Sequence, residues 1–206
     1  MVINSNDKGW FQVPGLRPKG DRTLAEQMSG LEPALAEARG KTVLDLGCAE
    51  GMISREFALA GAVDVHGIEL LQTHLDVARK VVKGVPRVRL TCAHLAEYIK
   101  ANPAPGQYDI VLVLGIIHKL VDPAEPLAWA ARAARDLLLF RAPAKATDGI
   151  VRSKHSQKPV NVPAVMAEHG FIEEKLIPGV RGEAVQYWRR VAWPAESRVT
   201  SSKSSS

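Results

Sequence analysis

Apolar residues follow two rhythms along this chain. Short, mostly apolar runs predict strands at Thr42–Leu46, Val63–Glu69, Val88–Cys92, Tyr108–Leu114 and Asp136–Phe140. Between them, stretches of helical spacing cover Glu50–Ala60, Leu71–Val82, His94–Lys100 and Ala124–Ala134. Upstream, Thr23–Ala38 puts Leu24, Met28, Leu31 and Leu35 on one stripe and stops at Gly40, while Pro33 predicts a split into two shorter helices. Downstream, Pro163–His169 reads as a helix. The extended runs Phe171–Ile177 and Ala184–Ala192 then follow with no helix between them.

Strands alternating with helices of this length build an α/β fold with parallel strands joined by right-handed crossovers. The last two strands, lacking a crossover, form an antiparallel hairpin. The expectation is a Rossmann-like, mostly parallel sheet with helices on both faces. Residues 23–194 form the domain, 1–22 an irregular arm carrying Trp10 and Phe11, and 195–206 a Ser-rich disordered tail. No internal repeat is visible.

Composition narrows the picture modestly. The chain has 206 residues, 46% of them hydrophobic, and a formal charge of +5, which suits one soluble domain. The longest apolar run, Ile110–Ile117, is too short to span a bilayer, and the N-terminus lacks a signal-peptide pattern, so a cytoplasmic location is expected. Cys48 and Cys92 read as reduced thiols, with no metal-site spacing. Five bases (Arg141, Lys145, Arg152, Lys154, Lys158) against Asp148 make 141–158 strongly basic, and Arg17, Lys19 and Arg22 form a second cluster. Either is a candidate RNA-phosphate contact or simply a solvated loop.

The chemistry concentrates in Val43-Leu-Asp-Leu-Gly-Cys-Ala-Glu-Gly-Met-Ile-Ser54, a strand entering a turn of small residues and then a helix. Gly47 and Gly51 allow close backbone approach to a ligand, and the helix start offers unpaired amides. Asp45 ends the strand, where a carboxylate attracts the amino end of a cationic ligand. Glu69, 18 residues after Gly51, closes the second strand and is placed for ribose hydroxyls. A dinucleotide fingerprint would need glycine at 49 and 52, where Ala49 and Met52 stand, and no phosphate-loop Gly-Lys-Ser/Thr occurs.

Asp45-Leu-Gly-Cys-Ala-Glu-Gly51 resembles the first motif of class I S-adenosylmethionine-dependent methyltransferases, with Ala49 in place of the usual middle glycine. The resemblance runs through roughly residues 40–140 and is strongest over 43–69. It implies a seven-stranded sheet with S-adenosylmethionine as cofactor. Asp45, Gly47, Cys48, Ala49 and Gly51 would line the methionine part, and Glu69, with Leu70 beside it, would hold the ribose. Ala93 and His94 stand where the family contacts adenine, although an Asp is usual at the histidine position. Leu114 and Gly115 end the fourth strand, where donor and acceptor should meet. The aromatic arm and the stretch His118-Lys-Leu-Val-Asp-Pro123 are also similar to the methyltransferase module of enzymes that modify the wobble uridine of transfer RNA.

Methyl transfer from a sulfonium needs positioning and exclusion of water more than acid–base machinery. His118 is the candidate general base and also reads as pocket wall; His155 is a second candidate. The arm near Trp10 and the 141–158 insert would cover the site. The leading expectation is a small-molecule methyltransferase. Two others stay open: an RNA methyltransferase using Arg17, Lys19, Arg141, Lys145, Arg152 and Lys154, and a non-catalytic cofactor-binding protein on the same fold.

Overall fold

The computed structural model describes residues 9–16, 20–103, 107–142, 149–152, 155 and 159–191. Arg17, Lys19, Lys145, Lys154, Lys158 and the tail 195–206 lie outside the described residues.

Two short helices open the domain, α1 (Leu24–Met28) and α2 (Glu32–Glu37). Thr23 and Glu26 form a reciprocal capping box at the start of α1, and Pro33 sits in the first turn of α2. The Leu24–Leu35 stripe is thus carried by two short helices, the split expected from Pro33, and Gly30 (φ 81°) carries the chain between them. Then come β1 (Thr42–Leu46), α3 (Met52–Leu59), β2 (Asp64–Glu69), α4 (Gln72–Val81), β3 (Val88–Cys92), α5 (Leu95–Ala101) and β4 (Tyr108–Leu114). A 3-10 turn (Ile117–Lys119) follows, then α6 (Ala124–Ala133), β5 (Ala134–Ala142), β6 (Ile150–Val151), β7 (Val160–Asn161), α7 (Val162–Glu168), β8 (Phe171–Pro178) and β9 (Ala184–Arg190).

Seven strands make one sheet in the order β3-β2-β1-β4-β5-β9-β8. Pairing is parallel from β3 through β5, while β9 is antiparallel to both β5 and β8. Side-chain alternation divides the core into two layers. Val43, Val65, Ile110, Leu112, Leu137 and Leu139 face α1, α2 and α3. Leu44, Leu46, Val111, Val113, Leu138 and Phe140 face α5, α6 and α7, around the fully buried Trp129. The chain runs outward from β1 through β2 to β3 and then crosses back to β4 on the other side of β1, and such a reversal of strand order places a ligand crevice at the carboxyl ends of β1 and β4.

Two features differ from the sequence expectation. The basic stretch contains a two-stranded hairpin, β6 with β7, whose Val151 and Val160 join the core. Strand β5 also runs past Phe140, because β9 continues pairing through Arg141↔Val185 and Ala142↔Ala184.

Arg141 is therefore part of the sheet and is corrected as a candidate RNA contact. It is 5% exposed and donates to the Gln27 side chain (3.0 Å) and to the carbonyls of Gln27 (2.6 Å) and Ser29 (3.2 Å). Its guanidinium fastens α1 to the sheet. Arg141→Leu is expected to lower stability by about 2–4 kcal/mol in urea denaturation, since it strands two buried acceptors of Gln27 and the partly buried Ser29 carbonyl. Arg22 is likewise engaged, in a paired contact with Glu183 at 2.6 Å on each nitrogen. Arg152 is exposed.

Candidate active site

The turn after β1 is built from backbone that L-residues seldom adopt. Gly47 (φ 75°), Ala49 (φ 48°) and Gly51 (φ 72°) are all left-handed. The amides of Gly47 and Cys48 both donate to the Ile68 carbonyl, at 2.8 and 3.1 Å, tying the turn to β2. A Cβ on Gly47 would lie 2.4 Å from Ile116 Cγ2, and one on Gly51 would lie 3.0 Å from the Ala78 Cβ. These glycines thus serve the chain's own close packing. Ala49 occupies its left-handed position without a glycine.

Asp45 points from β1 toward α3. Its carboxylate is 2% exposed and accepts from Ser54 Oγ at 2.7 Å. Burial, partly offset by Ser54 and reinforced by the negative charge of Glu69, pushes its pKa up to about 6. Burial likewise raises the Cys48 thiol well above its ordinary value, and the absent side chain of Gly67 leaves room for that sulfur against β2. The Cys92 thiol is exposed.

Glu69 caps β2 and organises both flanking segments. Its carboxylate accepts from the Ala49 amide (3.0 Å) and the Leu71 amide (3.0 Å), joining the glycine turn to the start of α4. Burial works to raise its pKa, but His74 and these two amides outweigh it and hold the carboxyl below its usual value. Glu69 is thus an ionised acceptor at the mouth of the crevice, with Leu70 exposed beside it.

Beyond β3, the Ala93 amide donates to the Glu69 carbonyl at 3.0 Å. His94 is the N-cap of α5, its Nδ1 accepting from the Ala96 amide at 3.3 Å. Beyond β4, Leu114 and Gly115 are half-buried, and a Cβ on Gly115 (φ 73°) would meet nothing within 4 Å, so open space lies there. His118 is half-buried in the 3-10 turn that follows. His155 is exposed on the segment beyond β6.

Three residues the sequence reading passed over complete the arrangement. Glu50, wholly buried, accepts from the backbone amides of Trp10 (3.0 Å) and Phe11 (3.2 Å). The Trp10 ring in turn lies under the Lys119 ammonium, 3.4 Å from its centroid. The N-terminal segment thus bridges the turn after β1 and the turn after β4. His74, in the first turn of α4, lies between the two acids, 3.7 Å from Glu69 and 3.9 Å from Glu50. Among the described residues, no group of three or more His, Cys, Asp or Glu could hold a metal ion, and no helix is long and apolar enough to cross a membrane.

This strand order, glycine turn and acid at the tip of β2 define the class I methyltransferase fold. A family model described as a methyltransferase domain matches residues 43–137, somewhat under half of the chain. Ubiquinone biosynthesis O-methyltransferases are similar in sequence. The one from Bordetella bronchiseptica is 32% identical over 111 residues, which is 53% of this chain and 44% of that protein. The one from Pseudomonas paraeruginosa is 38% identical over 89 residues, 41% and 36% respectively. The matched stretch spans less than half the length of these relatives. Among solved structures, magnesium protoporphyrin IX methyltransferase from Synechocystis PCC 6803, crystallised with bound SAM, superposes with a TM-score of 0.61 at 20% identity. It covers 81% of this chain and 80% of that one. A SAM-dependent methyltransferase from Aquifex aeolicus gives 0.57 at 19%, covering 80% and 92%. At these identities the superpositions establish the fold.

Proposed function

We propose that this chain is an S-adenosylmethionine-dependent methyltransferase acting on a hydroxyl of a small-molecule acceptor. The observation that carries the reading is Glu69, an ionised carboxylate whose two amide bonds fix it at the rim between the glycine turn and α4. The residues present fit the cofactor. Glu69 keeps acceptor capacity for two ribose hydroxyls, Asp45 supplies negative charge behind the turn, and space opens beyond Gly115. The likeness over residues 43–137 to methyltransferase domains supports the donor, and the O-methyltransferase relatives support the type of acceptor.

When bound, the cofactor supplies an electrophilic methyl group on a sulfonium. The chain's part is to hold the nucleoside by Glu69, to set the turn against β2 through the Ile68 carbonyl, and to limit water at the mouth. Trp10, tied to Glu50 and stacked with Lys119, forms one wall of that mouth. His118, in the 3-10 turn that follows Gly115, takes the proton from the attacking hydroxyl.

Incubation with methyl-labelled cofactor and a panel of phenols and catechols tests the reading, with label in the acceptor as the expected outcome. Cofactor bound but not consumed across the panel would favour a non-catalytic protein on this fold. His118→Ala is expected to lower kcat by about 10²–10⁴-fold with cofactor affinity unchanged, since general-base catalysis contributes that range. A change below about threefold would leave His118 as pocket wall. Arg141 and Arg22 are occupied by internal partners, which leaves the exposed Arg152 as the described candidate for an RNA phosphate.

A further inference from the structure

We propose that His74 is a positioning residue that couples occupancy of the cofactor crevice to docking of the N-terminal segment. The proposal rests on the cofactor reading above and adds a linkage to it.

His74 is 4% exposed, yet its Nδ1 is buried without a hydrogen-bond partner. A buried ring nitrogen left this way costs stability unless another state of the site uses it. Its nearest acidic neighbour is Glu69 Oε1 at 3.7 Å, just beyond hydrogen-bond range, while Nε2 faces Glu50 Oε1 at 3.9 Å. The imidazole is thus an unclosed bridge between two carboxylates with different duties. Glu69 faces the crevice, whereas Glu50 holds the Trp10 and Phe11 amides.

The same oxygens are shared along the chain of contacts. Glu69 Oε1 accepts from the Leu71 amide as well as facing His74, so its lean sets the first turn of α4. The His74 amide donates to the Leu71 carbonyl at 3.1 Å, which fixes the ring's base to that turn. Glu50 Oε1 faces His74 and accepts from Trp10. Ribose hydroxyls donating to Glu69 would draw this carboxylate into one fixed orientation. Bridging the two carboxylates takes a proton on each ring nitrogen: Nδ1–H then closes the short gap to Glu69 while Nε2–H donates toward Glu50, so fixing Glu69 steadies the grip on the segment. Hydrogen bonds of this kind often tighten only in the complex. Docked, the segment places Trp10 against Lys119 across the crevice mouth, so the acceptor site is completed after the methyl donor is seated.

Hydrogen exchange of the Trp10 and Phe11 amides, read by NMR on the full chain, reports the linkage directly. Calorimetry with S-adenosylhomocysteine runs in parallel. In the wild type, the nucleoside is expected to slow exchange at both amides about tenfold or more. His74→Phe keeps the ring's bulk and loses both nitrogens. It is expected to bind the nucleoside about tenfold more weakly, to abolish the added protection and to speed exchange in the ligand-free chain. His74→Asn loses bulk but can place an amide nitrogen near the position of Nδ1, and should stay within about threefold of wild type in affinity. A purely packing role would give the reverse order, with Phe tolerated and Asn impaired, and would overturn the proposal. So would undiminished protection of Trp10 and Phe11 in His74→Phe with the nucleoside bound. If the wild type binds no nucleoside, the cofactor reading fails and this coupling with it.

Discussion

Glu69→Ala is expected to weaken binding of S-adenosylhomocysteine about ten- to hundred-fold, because hydrogen bonds to an ionised acceptor contribute roughly 1.5–3 kcal/mol. Two losses combine. The ribose loses its acceptor, and the amides of Ala49 and Leu71 lose theirs, so the glycine turn and the start of α4 are no longer tied together. Glu69→Gln separates the two. It retains one acceptor oxygen but presents an amide to the other partner, and should fall between wild type and alanine. Unchanged affinity by calorimetry in Glu69→Ala would mean that the sugar lies elsewhere.

The second large effect is a trade of stability against binding at Asp45. Its folded-state pKa, raised to about 6 by burial, stands above the roughly 3.9 of an unfolded aspartate. The native state therefore binds more protons between these values. The contribution of Asp45 is fully present below about pH 4 and lost as pH rises through about 6, which leaves a charged, buried carboxylate at neutral pH. Asp45→Asn removes that penalty and can still accept from Ser54. At pH 7–8 it should be more stable than wild type by about 2–3 kcal/mol, at 1.36 kcal/mol per pKa unit. In a chain of this size that raises Tm by several degrees, roughly 2–4 °C per kcal/mol. The advantage should shrink toward pH 4. The same variant should bind the nucleoside about tenfold more weakly, since a buried negative charge behind the turn attracts a cationic ligand. Paired Tm and calorimetry series across pH check both signs. Loss of stability at pH 7–8 would show that the charged form is the one the fold prefers.

The sheet was readable from the chain because each central strand is a short apolar run bounded by turn residues. β1, β3 and β4 fall on their expected bounds. The turn and Glu69 were readable because small residues and an acid recur at a spacing set by one strand–helix–strand unit. What escaped was tertiary. Glu50 looked like an ordinary turn residue, since its partners are amides about 40 positions away in a segment with no periodicity. His74 sat unremarked on a helix, because its importance comes from two acids that meet only in the fold. Arg141 was grouped with its basic followers. Continuing the alternation of Leu137 and Leu139 two residues further would have placed it on the inward, α1-facing side. The β6–β7 hairpin, two residues a strand, is too short to show any period.

A crystal of the full chain grown with S-adenosylhomocysteine tests the central claim most directly. The account predicts both ribose hydroxyls on the Glu69 carboxylate and the amino-acid end of the ligand along Gly47–Gly51. A nucleoside bound away from Glu69, or a dinucleotide lying in that crevice in its place, would contradict it.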